Sequence, residues 1–222
     1  MVGMLMYNKK YIISIFKIFL FLLPLFSNAQ SFEGKVVYKN IYKSKSERVT
    51  EQQLQIMMGV TQDYYIKAGN YKTIYSGKYF EYQLYSNKEN KLFTKFSMRN
   101  ILFYNDGKER SEKIVEHKIN KEATKILGLP CDEIIIKTTK GVYKYYYNTK
   151  YKIDVNQFKN HLFGNWSFYT SKTEAIPLKM IIDNNMFIVE STAIKVENLK
   201  LDDSIFIKPN LEEQPSSELK NQ

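Results

Sequence analysis

The sequence predicts a mainly β chain with few helices, folded as a curled antiparallel sheet. Three observations carry this. Apolar and polar residues alternate with a period of two in many short runs after residue 30, the pattern of half-buried strands. Those runs are separated by short turns containing Asn, Asp or Gly. The aromatic residues, 15% of the chain, are dominated by 18 Tyr and 14 Phe, side chains that suit a pleated surface.

The elements follow in order. Between Ser31 and Ile41, Phe32, Gly34, Val36 and Tyr38 fall on one face of a strand, with Glu33, Lys35, Val37 and Lys39 on the other. Thr50 and Gln53 make a capping-box pair, and Leu54, Met57 and Met58 have helical spacing before Gly59, which predicts a short helix. Asp63–Lys67 and Tyr71–Tyr75 read as a hairpin across Ala68-Gly69-Asn70, and Tyr79–Tyr85 and Lys91–Phe96 as another across residues 86–90. Ile101–Tyr104 ends at Asn105-Asp106-Gly107, and Lys113–Ile119 follows.

Glu133–Thr138 and Val142–Tyr147 form a further pair across Thr139-Lys140-Gly141, with Tyr143, Tyr145 and Tyr147 on one face. A second helix is predicted from Asp154 to the Gly164 cap, with Val155, Phe158 and Leu162 on one side. Leu178–Ile182 and Met186–Ser191 pair across Asp183-Asn184-Asn185, and Thr192–Asn198 is the last strand. The total is about ten to twelve strands, mostly antiparallel neighbours. Residues 210–222 read as a polar, frayed tail.

Ahead of these elements, Lys9 and Lys10 precede an apolar run from Tyr11 to Phe26, and Ser27-Asn28-Ala29 offers small residues for cleavage. Residues 1–29 therefore read as a signal peptide, residues 30–209 as one β-rich domain, and the protein as exported to the periplasm, the outer-membrane surface or the exterior. Removing Lys9, Lys10 and Lys17 lowers the formal charge from +10 to +7. No second run is long enough for a membrane span. Basic residues after the leader are nearly all Lys, with Arg only at 48, 99 and 110. Bidentate phosphate and base recognition favours Arg, so nucleic acid is not an expected partner.

The chemistry of catalysis is thin. A single Cys excludes an intramolecular disulfide and a multi-cysteine zinc site. His117 and His161 lack neighbours at ligand spacing, so no metal is expected. Cys131 begins an apolar strand rather than a helix and reads as a buried free thiol. There is no G-x-S-x-G elbow and no Gly-rich phosphate loop. No enzyme activity or cofactor is expected.

Three segments carry a resemblance: Lys125-Ile126-Leu127-Gly128-Leu129-Pro130-Cys131, Ala175-Ile176-Pro177-Leu178-Lys179-Met180, and Asp203-Ser204-Ile205-Phe206 with Pro209. Across residues 120–210 the chain resembles GLPGLI-type and related exported envelope proteins of Bacteroidetes. Their pattern is similar to that of the lipoprotein-carrier (LolA/LppX-like) architecture, which implies a half-open barrel covered by helices over a hydrophobic cavity. The predicted 154–164 helix would then be a lid. On this reading Tyr143, Tyr145 and Tyr147 on the sheet, with Phe158, Leu162 and Trp166 on the lid side, line a site for a lipid or lipidated protein partner. The alternative is an envelope interaction module that uses exposed Tyr-rich strands.

Overall fold

A computed structural model describes residues 31–221; the expected leader lies outside the described residues. Twelve strands form one sheet, in the order β12-β6-β5-β4-β3-β2-β1-β11-β10-β9-β8-β7. In chain order these are β1 (Gly34–Ser44), β2 (Thr61–Lys67), β3 (Asn70–Tyr75), β4 (Phe80–Ser86), β5 (Lys91–Phe96), β6 (Ile101–Asp106), β7 (Ile114–Ile126), β8 (Leu129–Thr138), β9 (Gly141–Lys152), β10 (Ala175–Asn184), β11 (Phe187–Asn198) and β12 (Glu212–Pro215). The described α-helices are α1 (Glu51–Met58) and α2 (Trp166–Thr173). The sheet is mixed and is not closed into a barrel: β12 pairs with β6 in parallel, and β7 and β12 are its two edges.

Period-two alternation sets the two faces. On the inner face the register runs from Val36 to Tyr64 and Val196, and from Ile66 to Tyr71, Tyr85 and Leu92. It continues in Ile134 opposite Tyr145 and Tyr145 opposite Met180. The sheet is strongly bent. From β3 to β9 is five strand steps, about 24 Å on a flat sheet. Three successive ring contacts, Tyr71–Trp166 at 5.7 Å, Trp166–Tyr169 at 5.2 Å and Tyr169–Tyr145 at 4.5 Å, span that interval across the interior.

Several expectations are corrected. Helix α1 has the full capping box, with Gln53 N donating to Thr50 Oγ1 at 3.2 Å and Thr50 N donating to Gln53 Oε1 at 2.8 Å. The second helix is displaced. Asp154 accepts from Asn156 N at 3.0 Å and starts only a 3₁₀ turn, Val155–Phe158. The chain then breaks at Gly164 and Asn165, with φ of 63° and 56°, and the α-helix begins at Trp166, two residues after the expected end. Strand β7 runs on past Ile119 to Ile126, and residues 187–198 form one continuous strand rather than two.

The polar tail is the largest correction. Residues 199–215 cross the outer face of the sheet as a strap and end in β12. Leu199 N donates to Glu33 O (3.2 Å) and Leu201 N to Glu33 Oε1 (2.6 Å). Lys67 Nζ donates to Leu201 O at 2.6 Å and pairs with Asp203 at 2.8 Å. Phe206 and Leu211 then pack on Tyr82, Leu84, Phe93 and Leu102, an outer core on the side of β4–β6 opposite the interior.

Candidate functional site

The six residues expected to line a ligand site divide on inspection. Tyr143, Tyr145 and Tyr147 do share the inner face. Tyr145, Tyr147 and Phe158 are buried in packed clusters, and Trp166 touches both the larger cluster and its neighbour. Tyr143 is half-buried, and its hydroxyl donates to Glu112 Oε1 at 2.8 Å; Thr138 donates to the other carboxylate oxygen. Leu162 belongs to none of the described buried clusters; its backbone N–H donates to Gly107 O at 2.6 Å.

The connection between β9 and β10 explains this packing. The two strands are neighbours, yet residues 153–174 leave them, reach the opposite half of the sheet and return. Asn90 Nδ2 donates to Asn160 O at 2.9 Å, and Phe163 N to Gly107 O at 3.3 Å. His161 stacks on Tyr85 at 3.9 Å and shares a 2.8 Å hydrogen bond with Tyr71 through Nε2. Burial lowers its pKa to about 3 and pushes the Tyr85 hydroxyl up to about 12.

This interior mixes aromatic and aliphatic side chains with a few buried polar atoms. Tyr64 Oη, His161 Nδ1 and Trp166 Nε1 are buried without a hydrogen-bond partner in the protein. An acyl chain laid against them would leave those groups unpaired, at a cost of about 1–3 kcal/mol each.

The outer face offers a different site. Between the strap and strands β3–β5 lies a shallow cleft of about 520 Å³, widely open to solvent. Its sheet wall is Lys72, Glu81, Tyr82 and Lys95; its strap wall is Ser204, Ile207, Lys208, Pro209 and Leu211. The register places Ile74 opposite Tyr82, and Tyr82 opposite Lys95, so these side chains share the outer face. Asp202 holds the strap's bend, its carboxylate accepting from Ser204 N at 2.8 Å. Lys208 Nζ lies 4.6 Å from the Phe93 ring, bonds Glu89 at 2.7 Å and bonds Glu213. Cations outnumber the single carboxylate of this lining, and an apolar wall faces them.

The sequence reading missed this cleft. One signal was present: β5 and β6 carry adjacent apolar pairs, Leu92-Phe93 and Leu102-Phe103. Apolar residues on both faces mean that both faces are covered, and the strap is that second cover.

Among the described residues no group of three or more His, Cys, Asp or Glu side chains is placed to hold a metal ion, and no helix is long and apolar enough to cross a membrane. No known family model and no curated protein matches the chain. Two solved structures of PNGF-II are similar to it. The one in a C2 crystal form has a TM-score of 0.50 and 15% identity, and covers 85% of this chain. The one in P21 also has a TM-score of 0.50, with 14% identity over 86% of this chain. The chain spans only about a third of PNGF-II, 32% and 33% in the two. At that identity the likeness concerns the fold alone.

Proposed function

We propose that this is an exported, non-catalytic binding protein of the cell envelope, and that it holds an amphipathic ligand, a lipid or the acyl chain of a lipidated partner, in the cleft under the strap. The observation that carries the reading is the composition of that cleft: Ile207, Pro209 and Leu211 on one wall, Lys72 and Lys95 on the other. Each methylene buried there contributes about 0.8 kcal/mol, and the lysines attract an acidic head. The resemblance to exported envelope proteins supports the compartment. The alternative, a contact module with exposed Tyr-rich strands, has less support: among the described tyrosines only Tyr79 is exposed, at 37%.

The test is direct titration of the purified protein with a fluorescent fatty-acid probe, paired with native mass spectrometry. Saturable 1:1 binding, weakened by Ile207→Asp, is expected. Ile207 is 69% exposed, so this change leaves the fold intact. Absence of binding, or binding indifferent to the substitution, overturns the reading.

A further inference from the structure

Of the three lysines in the cleft, two are already engaged. Lys95 Nζ donates to Phe96 O and Arg99 O, each at 2.8 Å, and lies 3.3 Å from Glu81. That contact pairs the one carboxylate in the lining, whose charge still acts on Lys72 and Tyr82 at longer range. Lys208 is held between Glu89 and Glu213. Lys72 differs: it forms no ion pair among the described residues, and its ammonium rests over the Tyr82 ring, 4.6 Å from the centroid. Tyr82 differs too. It is 8% exposed, and its hydroxyl is buried with no hydrogen-bond partner.

The geometry points to Lys72 and Tyr82 as the head-group end of the cleft, where an anionic oxygen of the ligand accepts from the Tyr82 hydroxyl and pairs with the Lys72 ammonium. This inference rests on the cleft reading above and specifies its ligand class: an acid, carboxylate or phosphate monoester, on an apolar body lying along Ile207, Pro209 and Leu211. One anionic group satisfies the unpartnered Tyr82 donor and gives the half-buried Lys72 ammonium an ion-pair partner, and a buried donor left unpaired is costly. The protonation states suit the role. Burial pushes the Tyr82 phenol up to about 12, with Glu81 adding to it, so the hydroxyl keeps its proton at neutral pH. Burial also lowers the Lys72 pKa, with Glu81 opposing the shift, and an arriving anion opposes it further.

The experiment titrates the purified protein with dodecanoate, dodecyl phosphate and dodecanol, in the native sequence and in Lys72→Gln and Tyr82→Phe. Both acids should bind the native protein about tenfold or more tightly than the alcohol. The tighter of the two identifies the head group. Each substitution should reduce the acid-to-alcohol ratio several-fold and leave dodecanol affinity unchanged. Tyr82→Phe keeps the ring, and Lys72→Gln is an independent arm should the first destabilise the outer core. If dodecanol binds as well as the acids, or the ratio is the same in the native protein and the variants, the head-group assignment fails while the cleft reading stands. If none of the three binds, both fail.

Discussion

His161 lies flat on Tyr85, with ring centroids 3.9 Å apart and planes within 7°. Its buried imidazole is held neutral, with the pKa lowered from 6.5 to about 3. In the unfolded chain the same ring takes up a proton near pH 6.5. Between those values the unfolded chain binds the extra proton. Stability from this group is therefore complete above about pH 7 and is lost progressively as pH falls toward 3. Urea unfolding followed from pH 7 to 4.5 should show a loss of up to about 1.4 kcal/mol per pH unit from this residue. His161→Phe, which keeps a flat ring, should have the shallower pH dependence; equal slopes in the two proteins contradict the assignment.

Phe158 is 1% exposed and lies 6.3 Å from Tyr85 and 6.4 Å from Trp166, centroid to centroid. Phe158→Ala leaves a cavity in the interior and should cost about 3–5 kcal/mol, lowering Tm by roughly 10 °C. Leu162→Ala, at a half-buried site outside the clusters, should cost less than about 1.5 kcal/mol. A single helix over 154–164 would bury both side chains and make the two costs similar. Thermal melts of the two variants decide between these arrangements.

Cys131 is fully buried, and burial raises its pKa. The thiolate is the reactive form, so the native protein should resist a thiol-reactive dye at neutral pH. Labelling should rise only across the urea transition. Rapid labelling of the folded protein would place this thiol at the surface.

The strap is anchored by Phe206 and Leu211 on Leu84, Phe93 and Leu102. Phe206→Ala should loosen it with only a modest global cost, about 1–2 kcal/mol at a partly buried site. Limited proteolysis should then cut between residues 199 and 211 faster than in the native sequence, and fatty-acid probe affinity should fall. Unchanged proteolysis would show that the ion pairs of Lys67 and Lys208 hold the strap by themselves.

Much of the sheet is legible in the sequence because its cause is local. The alternation through Val36 and Tyr38, the Ala68-Gly69 turn and the Thr50–Gln53 box each depend on a few consecutive residues. The displaced helix had no such signal. Trp166-Ser-Phe-Tyr-Thr-Ser-Lys-Thr is composed mostly of residues with modest helix propensity, and its start is fixed by two left-handed residues, one of them not Gly. Strand β12 is Glu-Glu-Gln-Pro, a poor strand by composition; it pairs because β6 presents an edge beside it. The cleft was illegible for a related reason. Lys72, Tyr82 and Lys95 meet Ile207 and Pro209 only after the strap has crossed the sheet, and that long-range closure leaves no spacing to read.

The two margins of the sheet have a consequence for how copies of the molecule meet. A long open margin is a template on which other chains aggregate. On one side β6 is occupied by a four-residue strand ending in Pro215, which has no N–H to offer a neighbour. On the other, β7 is irregular between Asn120 and Thr124 and exposes Glu116, Lys118, Lys121, Glu122 and Lys125. An approaching copy finds a blocked rim or a kinked, charged one. Both margins thus carry features that disfavour edge-to-edge pairing of copies.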